Sequence, residues 1–259
     1  MRRRAGRIGG RVLVGLLLLG VLPARAQDAD TLSAREIVRR ADELLRGDTF
    51  QGRYRMTVIR PDWQRSMVFE VWSEGTEKSF IRVLEPARDR GVAFLKLGRQ
   101  MWQYIPRINR VIKIPPSMMM ESWMGSDFTN DDLVKESSIV EDYTHRLLGR
   151  ERVGEDEAYG IELLPKPEAP VTWARVVEWI RVDDYIPLRA EYFNERGEHI
   201  RTLVFSDVRT LGGRRLPVRM ELIEETKPGH RTVLVLEEAV FDRPIPPSVF
   251  TQENLRRRR

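Results

Sequence analysis

The apolar and polar positions of this chain change period several times, and each change marks an element. Ser33 to Glu36 has the form of a capping box, in which the serine hydroxyl accepts from the amide three residues on and the glutamate reaches back. Ile37, Val38, Ala41, Leu44 and Leu45 follow at helical spacing and Gly47 stops the run, so one amphipathic helix is expected here. From residue 50 to residue 114 the period becomes two. Tyr54, Met56 and Val58 alternate with Arg55 and Thr57, and Met67, Phe69 and Val71 share a face opposite Glu70. Further short runs lie near 78–85, 91–97, 100–105 and 108–114, punctuated by Gly75, Pro86, Gly98 and Pro106. Short strands joined by short turns make an antiparallel meander, because parallel neighbours need helical crossovers and none is present.

Strand periodicity returns at 139–148, 152–164, 176–182, 187–193, 200–205, 216–223 and 232–240. Leu216, Val218, Met220 and Leu222 against Arg219 and Glu221 form the cleanest half-buried pattern. The run 200–205 is apolar on both sides, as in a strand that is covered on both faces or lines a cavity. The prolines of 242–250 forbid a central strand, so this stretch reads as an irregular cover with Phe250 tucked in.

Between the two sets of strands lies a segment that fits neither period. Pro115-Pro116 ends the first meander, and Met118, Met119, Met120, Trp123, Met124 and Phe128 follow around a turn at Gly125. If residues 117–124 are helical, Met120, Trp123 and Met124 share a face. Thr129-Asn-Asp-Asp132 reads as an N-cap with acids in the first turn of a short helix reaching about residue 137. These apolar side chains need a place to pack, and the natural place is the concave face of a curved sheet. They are the candidate ligand-binding residues. Thioethers are flexible and polarisable, so they can either fill gaps in a core or line a site for an acyl chain of no fixed shape.

The first 26 residues change the reading of charge. They hold six arginines and no acid, so the formal net charge of +5 falls by six, to −1, without them. A body that is mildly acidic does not suit a nucleic-acid binder. The same stretch has an apolar run from Val12 to Leu22 and Ala24-Arg25-Ala26 before a cleavage point, the pattern of a secretory signal peptide, with a run too short to span a bilayer. Residues 27–259 are then expected as one sheet-based domain exported to the periplasm. With no cysteine, the exported chain has no disulfide to rely on and no lipidated cleavage site.

Catalytic chemistry finds little to stand on. His145, His199 and His230 are scattered without partners at metal-ligand spacing, and no HExxH, GxSxG or phosphate-binding glycine loop occurs. Asp127, Asp131 and Asp132 invite a calcium loop but have the wrong spacing, and helix capping fits them better. No enzyme activity, metal or cofactor is expected.

The run Ser122-Trp-Met-Gly-Ser-Asp-Phe-Thr-Asn-Asp-Asp-Leu133, after Ile114-Pro-Pro and before Asp142-Tyr143, resembles the signature of the outer membrane lipoprotein-sorting protein family, a LolA-like group of Gram-negative periplasmic proteins. The ending Pro244-Ile-Pro-Pro-Ser-Val-Phe250 with Leu255 is similar to that group's C-terminus. The resemblance implies a mainly β fold: a strongly curved antiparallel sheet, an incomplete β-barrel, with helices across its concave face and a hydrophobic cavity that accepts acyl chains. It implies a lipid or lipoprotein carrier, working as a monomer with an inner-membrane transporter as partner. A sensor or scaffold that docks an envelope protein is the alternative.

Overall fold

In the computed structural model, residues 32–134, 138–167, 169 and 171–257 are described. They belong to the unit Leu32–Arg259; the signal peptide expected over 1–26 lies outside them. Helix α1, Ala34–Arg46, opens this unit and strands follow in two meanders. The first comprises β1 (Thr49–Ile59), β2 (Gln64–Glu74), β3 (Lys78–Glu85), β4 (Ala93–Leu97), β5 (Gln100–Ile105) and β6 (Arg110–Ile114). The second comprises β7 (Tyr143–Val153), β8 (Asp156–Pro165), β9 (Arg175–Arg181), β10 (Pro187–Phe193), β11 (His199–Leu211), β12 (Arg214–Glu224) and β13 (Arg231–Phe241). The first and last strands join the two meanders, with Phe50 opposite Phe241 and Met56 opposite Leu234. The result is one antiparallel sheet in the order β6-β5-β4-β3-β2-β1-β13-β12-β11-β10-β9-β8-β7. Strands β6 and β7 stand at its two ends and do not pair, so the barrel is incomplete.

The sheet curls, and its core shows it. Ile114 on β6 and Leu216 on β12 belong to one buried cluster although seven strand spacings separate them. On a flat sheet they would stand roughly 34 Å apart, at 4.8 Å per strand. The alternation expected of the strands places Met56, Val58, Met67, Phe69, Val71, Leu216 and Val218 on this concave side. A second cluster, with Ile161, Leu163, Val176, Ile180 and Ala190, lines the β8–β10 end. Helix α1 spans both: Ile37, Val38 and Ala41 pack on the second cluster, and Leu44 and Leu45 reach the first. Its Ser33 hydroxyl accepts from the Glu36 amide at 3.2 Å, but the Glu36 carboxylate turns to Arg39 and Arg40 instead of back to the serine, so only half of the capping box forms.

The C-terminal stretch covers the outside of the first meander. Phe250 and Leu255 pack with Trp72, Phe80, Leu95 and Tyr104, side chains that alternate away from the concave core. The Asn254 carbonyl accepts from the buried Arg82 guanidinium at 2.5 Å.

Several expected boundaries move. The turn between β7 and β8 falls at Gly154, with φ +63°, and not near residues 149–151, because Leu148 and Gly149 form a bulge that lets β7 continue to Val153. Residues 139–142 are a turn. Strand β11 runs on past residue 205 to Leu211 through an irregularity at Asp207, with φ +57°.

Candidate functional site

The segment linking the free-ended strands β6 and β7 closes on itself before it meets the sheet. It contains 3-10 turns at Pro116–Met118 and Trp123–Gly125 and a short helix α2, Asn130–Val134. The Trp123 amide donates to the Phe128 carbonyl at 2.8 Å, Asn130 to Glu121 at 3.0 Å and Asp131 to Met119 at 3.0 Å. The Ser126 hydroxyl donates to the Trp123 carbonyl inside the loop at 2.8 Å. Consecutive left-handed residues, Met124 at φ +51° and Gly125 at φ +77°, reverse the chain at its tip. The expectation of one helical face over 117–124 therefore gives way. The prolines start a 3-10 turn, the non-helical backbone at Ser122 (ψ 122°) breaks the spacing between Met120 and Trp123, and the reversal at Met124 breaks it again after Trp123.

This loop places its apolar side chains unequally. Trp123 is 0% exposed and enters the concave core, its ring centroid 5.1 Å from that of Phe69 and 5.4 Å from that of Phe94. Met119 and Phe128 are buried in the same cluster and Met124 packs against it half-buried. Met118 and Met120, at 47% and 38% exposed, are outside it, and the Met120 sulfur accepts from the Thr172 hydroxyl at 2.8 Å. Of the six residues singled out in the sequence, four fill the interior of the sheet and two sit on the outer surface of the loop. The Trp123 indole N–H is buried without a hydrogen-bond partner, so the loop is seated despite a donor that water would satisfy.

Two carboxylates fix the loop to two arginines of the sheet. Asp127 ion-pairs at 2.9 Å with Arg60, the residue just past the end of β1, and its Oδ2 accepts from the Thr232 hydroxyl at 2.6 Å. The Asp127 amide donates to the same hydroxyl at 3.0 Å. Arg65 donates to the Met124 carbonyl. On the other side, Asp132 accepts both terminal nitrogens of Arg201 at 2.6 and 2.7 Å. Asp132 also completes a capping box with Thr129: its amide donates to the threonine hydroxyl at 3.1 Å and its carboxylate accepts from the threonine amide at 2.8 Å. Burial alone would raise the Asp132 carboxyl, but the Arg201 charge and hydrogen bonds, with Thr129, hold it below the usual carboxylate range.

Arg201 itself lies on β11 opposite Tyr192, with its guanidinium carbon 4.5 Å from the Tyr192 ring centroid and 4.4 Å from that of Trp173. Burial opposes its charge, and the Asp132 carboxylate outweighs burial and keeps its pKa raised. Neither Arg201 nor Arg60 was visible to a reading of apolar period. An arginine between Ile200 and Thr202 breaks an otherwise apolar strand, and that break was the available signal.

Two of the three histidines, His145 and His199, make local contacts. The His145 Nε2 lies 2.9 Å from the Ile139 carbonyl and burial lowers its pKa, while His199 stacks on Phe193 and contacts the Thr202 hydroxyl. Among the described residues no group of three or more His, Cys, Asp or Glu is placed to hold a metal ion, and no helix is long and apolar enough to cross a membrane. A cleft of about 610 Å³ lies beside α1, the β2–β3 turn and residues 138–142, but Arg39, Asp42, Arg46, Lys96 and Glu141 make it a charged cleft rather than an acyl-chain site.

Comparison with known proteins agrees with this architecture. The structure is similar to a LolA superfamily protein from Nitrosomonas europaea, with a TM-score of 0.75 and 25% identity over 86% of this chain and 100% of that one. A DUF1329 family protein from Desulfovibrio piger gives 0.78 and 24% over 86% and 97% of the two chains. A putative outer membrane lipoprotein-sorting protein domain from Vibrio parahaemolyticus gives 0.75 and 20% over 86% and 98%. No functionally curated protein matches the chain in sequence. A family model described as "Uncharacterized protein" matches residues 75–257, most of the chain. The chain belongs to that family, and its fold is that of the LolA-like proteins.

Proposed function

We propose that this protein is a periplasmic carrier that shields the acyl chains of a lipoprotein, or of another lipid, inside its curved sheet on the way to the outer membrane. One observation carries the reading. The concave face is filled by Trp123, Met119 and Phe128, which come from a self-closed loop that joins the sheet through two ion pairs, hydrogen bonds to the Arg65 and Thr232 side chains and side-chain packing, not through the strand ladder. Lifting that loop exposes a greasy hollow without breaking a single strand pairing. Cargo and loop then compete for the same apolar surface. Each buried methylene of an acyl chain contributes about 0.8 kcal/mol, so a lipid can outbid the loop, and the loop can refill the hollow once an apolar acceptor takes the lipid.

Native mass spectrometry of the protein isolated from a periplasmic extract tests the reading. Co-purifying lipid is expected with the wild type. Replacing both Trp123 and Met124 with Asp, which keeps the loop from refilling the hollow, is expected to raise the lipid-bound fraction while the far-ultraviolet strand signal persists. A wild-type protein that arrives with a protein partner and no lipid would instead support an envelope sensor or scaffold.

A further inference from the structure

The loop that fills the cavity also carries the counter-ion of a buried charge. Arg201 is 3% exposed and faces the concave side between two aromatic rings. Its one ion-pair partner among the described residues is Asp132. Glu224 stands opposite Arg201 in the β11–β12 ladder and its charge also favours the guanidinium, but the carboxylate in two-point hydrogen-bond contact with Arg201 is that of Asp132. The Arg201 Nε is buried with no hydrogen-bond partner, so even the closed cavity holds an unused donor.

When the loop lifts, Asp132 leaves with it and Arg201, set among aromatic rings, loses the carboxylate that accepts both its terminal nitrogens, a loss that costs much at a buried site. Opening is therefore costly for a wholly neutral cargo. A cargo whose acyl chains replace Trp123 and whose anionic group replaces the Asp132 carboxylate restores both interactions at once. We infer that Arg201 is an anion-recognition residue of the cavity, and that the preferred cargo is an acylated molecule bearing a phosphate or carboxylate close to its chains. This rests on the carrier reading and adds the headgroup chemistry to it. The guanidinium fork suits either anion in a two-point contact, and Nε–H supplies a further donor.

The experiment measures binding of phosphatidylglycerol, of diacylglycerol with the same chains, and of inorganic phosphate, to the wild type, Arg201→Met and Asp132→Asn. The wild type is expected to prefer phosphatidylglycerol over diacylglycerol by about tenfold and to bind phosphate alone too weakly to displace either. Arg201→Met removes the preference while diacylglycerol binding persists. Asp132→Asn, which leaves the arginine without a carboxylate in the closed state, widens it. Equal binding of the two lipids by the wild type, or a preference that survives Arg201→Met, overturns the inference and leaves the carrier reading standing. Phosphate binding as tight as that of the lipid overturns it in favour of a free-anion site, and binding of neither lipid overturns both.

Discussion

Asp127 and Arg60 meet at 2.9 Å with 5% and 11% of their side chains exposed, and through this pair the tip of the central loop is clamped to the end of the first strand. Arg60 is further tied to the Ile59 carbonyl at 2.8 Å, and Thr232 holds the other side of the Asp127 carboxylate. Removing one member of such a pair leaves the other buried and uncompensated. Asp127→Ala is expected to destabilise the protein by about 3 kcal/mol. Asp127→Asn keeps the Thr232 contact and is expected to cost less. Urea unfolding of the two variants against the wild type measures the difference, and a neutral Asp127→Ala would show that the tip is not clamped.

Trp123 separates stability from binding. Truncating a buried indole to Ala costs about 3–5 kcal/mol in an ordinary core. Here part of that loss is offset, because the orphaned indole N–H goes with it. Trp123→Ala also lowers the work of displacing the loop, since the loop has less apolar surface to withdraw. The variant is therefore expected to be less stable in urea and to bind a fluorescent fatty acid more tightly than the wild type. A loss of probe affinity would mean that Trp123 contacts cargo directly rather than competing with it.

The meander, the opening helix and the C-terminal cover were legible because each depends on local period and turn chemistry. Tyr54, Met56 and Val58 alternate in the sequence and stay on their strand, and Phe250 is buried as its proline-rich context suggests. The seating of Trp123 was legible for a related reason: an indole with apolar neighbours has nowhere to go but inward. Which methionines would join it was not. That depends on the non-helical backbone at Ser122 and on a reversal at Met124, a non-glycine residue in the left-handed region that tertiary contacts must impose. Arg60 and Arg201 escaped for the opposite reason. Their partners lie 67 and 69 residues away in the chain, and no period encodes a pairing over that distance.

Gly125 tests how far the loop's own backbone sets its position. At φ +77° an added Cβ is strained, and it would also approach an Arg65 guanidinium nitrogen to 3.4 Å, a contact that arginine can relieve by a small shift. Gly125→Ala is thus expected to cost about 1 kcal/mol from the backbone alone. The cost falls on the loop and not on the strands, so hydrogen exchange should quicken at the Trp123 and Ser126 amides while the amides of β1 and β2 keep their protection. Uniform loss of protection would indicate that loop and sheet unfold as one unit.

Acid should open the loop from its Asp132 side. The Asp132 carboxyl is held below its unfolded value by Arg201 and Thr129 against the opposing effect of burial. A depressed carboxyl contributes stability that is fully present above the unfolded value, about 4, and is lost as pH falls through the lower folded value. From about pH 4 downward this contribution shrinks, and as pH reaches the lower folded value the carboxylate takes up a proton, the contact with Arg201 weakens and the loop loses its second anchor. Other depressed carboxyls, such as Glu36 at about 2 beside Arg39 and Arg40, titrate in the same direction, so the wild-type profile alone does not isolate the loop. The comparison with Asp132→Asn does, because the asparagine neither ionises nor compensates Arg201. Tryptophan emission is expected to shift to the red as the wild type is acidified, and the shift should shrink in Trp123→Phe. Asp132→Asn should show the red-shifted signal at neutral pH and change less on acidification. A profile identical to that of the wild type would mean that Asp132 does not hold the loop down.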